Sequence, residues 1–106
     1  MKEKDLERYF VQFVKKHGGI AYKFETPGIR GAPDRLVFFP GRVLFVELKA
    51  RRGFLSKAQR LWHRTATQFG FPVLVLRTRE EVDWLSGVPV QIAQTASMKL
   101  YMEKYK

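Results

Sequence analysis

The sequence of 106 residues contains no cysteine and only two histidines, and these shortages exclude several kinds of site. Without cysteine there is no disulfide framework, no thiol nucleophile and no cysteine-ligated zinc site. His17 and His63 are far apart in the sequence, so they match neither a zinc-binding spacing nor a credible Ser–His–Asp triad. Enzyme classes that depend on these groups are therefore poor candidates for this chain.

Long hydrophobic runs are also missing. No segment approaches the roughly 18 consecutive apolar residues of a membrane span, and the charged N-terminus lacks the apolar region of a secretory signal. There is no repeat and no low-complexity linker. We therefore expect a single domain over residues 1–106, with a core at about 2–87 and a C-terminal extension at about 88–106. The expected location is the cytoplasm, that of a host cell if a phage encodes the protein.

Negative charge is scarce as well, because 20 lysines and arginines face only 10 acidic residues and leave a net charge of +10. Such an excess favours a polyanionic partner such as nucleic acid, although a basic surface can also serve solubility alone. No segment pairs a basic face with a strong apolar face, so we do not expect membrane binding. Nucleic acid is favoured because basic residues crowd the candidate site described next: Lys49, Arg51, Arg52, Lys57, Arg60 and Arg64.

Two apolar runs, residues 36–39 and 43–46, flank Pro40-Gly41 and predict a β-hairpin. If the turn is centred on this pair, Asp34 lies opposite Glu47 at roughly 4.5–5.5 Å between Cβ atoms, where like charges repel. A divalent cation between them would remove that cost. An odd-length loop would shift the pairing by one residue. Because side chains alternate along a strand, Lys49 shares the face of Glu47, and Leu48 points to the opposite, apolar face.

Periodicity places further elements around this hairpin. Residues 4–17 predict a helix that ends at Gly18, and residues 20–25 predict a strand. Residues 26–33 predict a loop. In this loop, Arg30 and backbone N–H groups can contact phosphate or simply be solvated. Residues 72–76 predict a strand and residues 78–81 a capping box that opens a short helix. Residues 88–93 suggest an edge strand, and the tail 98–106 a short helix, a partner surface or a frayed end.

The clearest predicted helix runs from a Ser56 cap to Phe69, with Gly70 ending it. Trp62 is interpreted as core and His63 as surface. The element order αβββαβ predicts an α/β fold around a mixed sheet. The inner stripe expected for this helix consists of Ala58, Leu61, Trp62, Thr65, Ala66 and Phe69.

The first predicted helix carries two acidic residues on one line, Glu3 and Glu7. Glu7 borders the buried stripe, which gives it access to the interior. The ordinary explanation for both is that acidic residues in a first turn complement the helix dipole.

Pro33-Asp34 followed by Glu47-Leu48-Lys49 resembles the PD-(D/E)XK nuclease superfamily. Residues 31–35, 46–49 and 55–59 together resemble the VRR-NUC family, and the resemblance spans about residues 2–75. It implies a restriction-endonuclease-like core. It also implies a catalytic role for Glu7, with Glu3 as the alternative, because related junction-resolving enzymes carry a glutamate at this place on the first helix. Gln59 is implied as a supporting site residue.

Phosphodiester hydrolysis by such a site uses Mg²⁺ or Mn²⁺, which prefer oxygen ligands. The expected ligands are Asp34, Glu47 and the Leu48 carbonyl, with Glu7 binding directly or through water. Lys49 would orient or deprotonate the attacking water and offset phosphate charge, and its electrostatic role is favoured. A plain surface ion pair between Glu47 and Lys49, worth ~0–1 kcal/mol, is the alternative. Residues expected to contact DNA are Arg30, Arg35, Arg51, Arg52, Lys57 and Arg60.

A domain this small would read the shape and backbone of DNA instead of its sequence. The resemblance implies a DNA endonuclease acting on branched DNA, above all four-way (Holliday) junctions. A homodimer would cut such a two-fold substrate symmetrically. The alternatives are a nuclease directed to flaps or nicks and a non-catalytic basic module that binds nucleic acid.

Overall fold

The computed structural model describes residues 2–87, and the predicted edge strand 88–93 and tail 98–106 lie outside them. None of the helices in the described part of the chain is long and apolar enough to cross a membrane. The elements are α1 (Glu3–Lys16), β1 (Ile20–Lys23), β2 (Arg35–Phe39), β3 (Arg42–Leu48), α2 (Lys57–Gln68), β4 (Val73–Leu76) and α3 (Arg79–Gly87). This order confirms the predicted succession of elements, including the short helix after β4.

The four strands form one mixed sheet in the order β1-β2-β3-β4. The two pairs β1/β2 and β2/β3 are antiparallel, and β3 runs parallel to β4. A parallel pair needs a long crossover connection, which α2 supplies. The predicted α/β fold with a mixed sheet is therefore confirmed.

The β2–β3 hairpin has the predicted register, with Phe39 opposite Arg42 and Arg35 opposite Val46. Its loop consists of Pro40 and Gly41 alone. Proline holds φ near −65°, and Gly41 has a φ of 76°, which is the combination of a type II turn. A two-residue loop fixes the pairing of the strands that it joins. In this register, the pair that follows Arg35 and Val46 is therefore Asp34 and Glu47.

The core lies on one face of the sheet, under α1 and α3. Phe10 and Val14 of α1 and Val82 of α3 are fully buried there, together with Val37 and Val46 from the strands. Full burial of each such side chain contributes roughly 1.5–3 kcal/mol. Because side chains alternate along a strand, Asp34, Glu47 and Lys49 point to the other face of the sheet, toward α2.

The predicted inner stripe of α2 is only partly correct. Leu61 is 62% exposed and Phe69 is 77% exposed, whereas Thr67 is buried. Trp62 does lie against the sheet, with its ring edge-on to Phe45. The residues that turn inward are instead His63, which faces Glu47, and Thr67, which is buried one helical turn later. The buried side of α2 is thus rotated by about a third of a turn from the centre of the apolar stripe.

Candidate active site

Asp34 and Glu47 lie side by side where β2 and β3 leave the hairpin. The Asp34 backbone carbonyl accepts the Phe24 N–H at 2.9 Å, which continues the pairing of β1 with β2. The Asp34 Oδ2 atom accepts the Leu48 N–H at 3.0 Å. Glu47 is only 1% exposed, although its side chain is ionisable. A buried carboxylate is unfavourable unless it is paired or binds a cation.

This arrangement changes the acidity of both carboxyl groups. Asp34 is exposed as a residue, but the part of its carboxyl group that faces the protein is removed from water. This desolvation, together with hydrogen bonding to Glu47 and repulsion from it, raises the pKa of Asp34 to about 7, and the Leu48 N–H opposes the change. Burial also raises the pKa of Glu47, while the neighbouring Asp34 and the charge of Lys49 lower it. Glu47 therefore disfavours the ionisation of Asp34, and a cation bound between the two carboxyl groups would favour the ionised form of both.

Lys49 lies next to this pair. Its backbone N–H donates to the Leu76 carbonyl at 3.1 Å, which extends the β3–β4 pairing by one residue and fixes the strand end. Leu48 points into the core, as the alternation predicts, and is 3% exposed. The structure therefore brings two carboxylates and one ammonium together on one face of the sheet.

The position of Arg35 does not agree with the prediction that this residue contacts DNA. It is 9% exposed, its guanidinium donates to the Ala21 carbonyl at 3.4 Å, and it forms an ion pair with Glu7 of α1. The buried face of β2 alternates with the face that carries Asp34, and Arg35 lies on the buried one. Its role is to join β2 to α1.

The two glutamates of α1 both lie near the carboxylate pair, but they differ in their exposure and in their contacts. The charge of Glu7 raises the pKa of Asp34, and the charge of Glu3 raises the pKa of Glu47. Glu7 is engaged with Arg35, whereas Glu3 is exposed. The geometry leaves both as candidate ligands.

The residues present fit a hard divalent cation, as judged from the chemistry of their donor atoms. Within residues 2–87, Glu47 is buried, and its carboxyl group lies within hydrogen-bonding reach of the Asp34 carboxyl group. Adjacent oxygen acceptors are what Mg²⁺ and Mn²⁺ prefer. In the same part of the chain, no three histidine or acidic side chains are grouped closely enough to hold a metal ion by themselves. Backbone carbonyl and water ligands would therefore complete the coordination.

Gln59 has a structural partner. Its Oε1 accepts the Ser56 N–H at 2.8 Å, and its own N–H donates to Ser56 Oγ at 3.1 Å, so the two residues form a capping box at the start of α2. At Gly31 the preceding loop lies so close to this turn that a Cβ atom would be 2.2 Å from the Ala58 carbonyl oxygen. The first turn of α2 is thus fixed against the loop that leads to Asp34. A direct role of Gln59 in the site stays a prediction.

His63 is the residue of this site that sequence reasoning missed, and its assignment to the surface is wrong. Its side chain is 13% exposed, and its Nε2 lies 3.6 Å from Glu47 Oε1. Burial lowers the pKa of His63, and the charge of Asp34 opposes that change. One sequence signal was present: His63 lies one helical turn after Gln59, on the same line of the helix.

The predicted DNA-binding residues other than Arg35 are exposed on the surface. Arg77 organises the loop after β3, because its guanidinium donates to the Ala50 carbonyl at 2.9 Å and also to the Gly53 carbonyl. This loop carries Arg51 and Arg52. A fixed loop reduces the entropy that basic side chains lose when they bind phosphate. The exposed residues are Arg30, Arg51, Arg52, Lys57 and Arg60.

Comparison with known proteins shows the family, although no family model matches the chain. A protein of Acyrthosiphon pisum secondary endosymbiont phage 1, described as "Putative nuclease p44", is 42% identical over 81 residues, which are 76% of this chain and 87% of that protein. A solved structure described as "VRR_NUC domain" superposes with a TM-score of 0.75 at 30% identity, over 80% of this chain and 94% of the other. This likeness confirms the restriction-endonuclease-like core. With these identities over most of each relative, the chain belongs to the VRR-NUC family of nucleases.

Proposed function

We propose that this protein is a metal-dependent endonuclease that hydrolyses phosphodiester bonds in DNA. The observation that carries the proposal is the Asp34–Glu47 pair with Lys49 beside it, on the sheet face that points to α2. The phage relative, described as a nuclease, supports hydrolysis of nucleic acid. The net charge of +10 supports a polyanionic substrate.

Asp34, Glu47 and the Leu48 carbonyl would hold Mg²⁺ or Mn²⁺, with Glu7 or Glu3 binding directly or through water. When bound, such an ion activates water and neutralises charge on the phosphate and the departing oxygen. Lys49 adds a fixed positive charge where the phosphate lies and orients the attacking water by hydrogen bonding. The water oxygen forms a bond to phosphorus as the bond to the departing oxygen breaks, and that oxygen takes up a proton.

The proposed substrate is branched DNA, above all four-way junctions, with flaps and nicked duplexes as the second choice. The exposed arginines and lysines around the site suit contacts to phosphates, which position a protein without reading sequence. A single domain whose recognition depends on the backbone discriminates by DNA shape. Junctions, where several backbones converge, offer the densest phosphate charge to such a surface.

A homodimer is part of the proposal because one side of α2 presents an exposed apolar surface. An open groove of about 520 Å³ lies between α2 and the loop before β2. Exposed apolar side chains that line one groove, such as Ile29 and Leu61, support a protein–protein interface there. A second copy of this chain is the proposed occupant, since a C2 dimer places one site near each of two strands of a symmetric junction. The apolar residues that line the groove are Ile29, Ala58, Leu61, Trp62 and Ala66.

The test of catalysis compares a synthetic four-way junction with linear duplex and flap DNA, each with Mg²⁺, Mn²⁺ or EDTA. Wild type should cut the junction with paired symmetric nicks when metal is present. Asp34→Ala and Lys49→Ala should each lose at least about 10²-fold in rate, the scale of losing one group that acts on the reacting atoms. Binding to all three DNAs without cleavage under any metal would instead identify a non-catalytic DNA-binding module.

The test of the dimer is analytical ultracentrifugation at micromolar concentration. Wild type should sediment as a dimer and Leu61→Lys as a monomer, because the lysine places a charge in the apolar groove. Trp84→Lys is the matched control, since Trp84 is an exposed apolar residue of α3, on the other side of the sheet. A wild type that sediments only as a monomer would contradict the dimer without affecting the nuclease proposal.

A further inference from the structure

His63 and Glu47 face each other between α2 and β3, and each presents a polar atom that lacks a partner. The His63 Nε2 and Glu47 Oε1 atoms are 3.6 Å apart, and their side chains are 13% and 2% exposed. In the part of the chain that the structure describes, neither atom has a hydrogen-bond partner. Native proteins seldom leave a buried polar atom unsatisfied, so two facing each other point to a shared function.

The separation is slightly longer than a hydrogen bond. N–H···O bonds span roughly 2.7–3.2 Å, so a small rotation of either side chain closes the gap. An ionised carboxylate only accepts hydrogen bonds, whereas a neutral imidazole carries one N–H that either ring nitrogen can hold. If His63 carries that proton on Nε2, a single hydrogen bond to Glu47 Oε1 gives both atoms a partner.

The position of the ring is set by rigid structure. His63 lies one turn after Gln59, whose capping box with Ser56 fixes the start of α2. The buried Thr67 lies one turn further along the same helix line. A side chain held on a helix in this way orients its partner more accurately than one on a loop.

A direct metal ligand is the less suitable role for His63. The ions proposed for this site prefer oxygen to nitrogen. No third acidic or histidine side chain within residues 2–87 joins this group at metal-binding distance. Histidine and carboxylate pairs around metal sites commonly act in another way, in which a hydrogen bond fixes the orientation of the ligand.

We propose that His63 is a positioning residue of this site, which donates its Nε2–H to Glu47 Oε1 and thereby directs the other carboxylate oxygen toward Asp34 and the cation. The importance of this contact for cleavage rests on the proposed nuclease function. The hydrogen bond itself does not, because it belongs to the metal-free protein.

The first measurement therefore uses metal-free protein in EDTA. ¹⁵N-edited NMR spectra of the histidine rings distinguish protonated from unprotonated ring nitrogens. We expect the His63 proton on Nε2, and we expect its resonance to shift in Glu47→Gln, which changes the acceptor. The His17 ring, which lies within 2.9 Å of the Phe13 carbonyl through Nδ1, serves as the internal control. A His63 proton on Nδ1, with Nε2 bare, would overturn the proposal whatever the enzyme does.

The second measurement compares two variants that differ in hydrogen bonding. His63→Gln can place an amide N–H near the former Nε2, whereas His63→Leu fills similar space without a donor. We expect His63→Leu to weaken Mn²⁺ binding, measured by electron paramagnetic resonance, by about 10-fold, and His63→Gln to retain affinity within about 3-fold. Circular dichroism and thermal unfolding of both variants check that they fold.

Equal losses of Mn²⁺ affinity in the two variants would assign His63 to packing and overturn the positioning role, as would unchanged affinity in His63→Leu. If wild type binds no Mn²⁺ and cuts no DNA, the nuclease proposal fails. The NMR result then decides the hydrogen bond by itself. If wild type is active, junction cleavage should follow Mn²⁺ affinity across the two variants.

Discussion

Asp34 makes the stability of the metal-free protein depend on pH. Its pKa is raised from 3.8 to about 7, so the folded protein retains a proton that the unfolded chain releases at lower pH. The free energy of unfolding should therefore fall as pH rises from about 4 to about 7 and then level off. Asp34→Asn removes the contribution of Asp34 to this dependence and should be the more stable protein at about pH 8, by about 1 kcal/mol once solvent screening of the exposed side chain is included.

Urea unfolding in EDTA at about pH 4.5 and about pH 8 measures this difference. Asp5→Asn is the control, because Asp5 is an exposed carboxylate on α1. Addition of Mg²⁺ should stabilise wild type at the higher pH but not Asp34→Asn, since the ion favours the ionised carboxylate. The same pH slope in wild type and Asp34→Asn would show that the carboxylate pair is not coupled.

Glu7 and Glu3 can also be separated at the level of single residues. Glu7→Gln removes the partner of the nearly buried Arg35, so it should lower the free energy of unfolding by about 1–2 kcal/mol. Glu3→Gln changes an exposed side chain and should stay within about 0.5 kcal/mol of wild type. Thermal unfolding in EDTA measures both. Mn²⁺ affinity of the same two variants then shows which glutamate reaches the ion. Equal stabilities would mean that the Arg35 pair contributes nothing.

At the scale of elements, the contact between the loop before β2 and the first turn of α2 depends on Gly31. This residue has a φ of 89°, and a Cβ there would meet the Ala58 carbonyl oxygen at 2.2 Å. Gly31→Ala should therefore cost at least about 2 kcal/mol more than Gly28→Ala. Gly28 is the matched control, because its φ is 81° and no atom lies within 4 Å of the added Cβ.

Urea unfolding measures that cost. Junction cleavage by any folded Gly31→Ala protein tests whether the contact also places Asp34. If the two glycine variants have equal stability, the loop is free to move away from α2, and the close approach does not hold the site together.

At the scale of the whole molecule, the net charge of +10 should make DNA binding strongly dependent on salt. Binding of Asp34→Ala to a four-way junction in EDTA separates affinity from cleavage. Each of Arg51→Ala and Lys57→Ala, made in that background, should reduce the slope of log K against log salt by about 0.9 if it removes one phosphate contact. Arg8→Ala is the control, since Arg8 is an exposed residue of α1. Equal slopes for all variants would place the DNA elsewhere on the surface.

The arrangement of Asp34 opposite Glu47 could be predicted from the sequence because it depends on local structure. Pro40 and Gly41 favour a turn centred on them, and the two-residue loop that forms sets the register of every pair in the hairpin. Alternation along β3 then decides the directions of Leu48 and Lys49. The ends of the helices were predictable for the same reason, since capping residues act within one turn.

The environment of α2 could not be predicted in this way. Periodicity identifies the apolar side of a helix but not whether the folded protein buries it, which depends on what the sheet presents beneath. Here the sheet presents the carboxylate pair, so His63 and Thr67 turn inward and Leu61 remains exposed. The same holds for Arg35, whose burial depends on Glu7, 28 residues earlier in the chain.

Composition and local sequence account for the order of elements, the turn centred on Pro40-Gly41, the carboxylate pair with its lysine, and the excess of positive charge. Each of these depends on composition or on residues within a few positions of one another. Packing between distant elements instead places His63 against Glu47, buries Arg35 and leaves one side of α2 open to a partner. Those outcomes depend on which surfaces distant elements bury against each other, and that competition involves the whole chain at once.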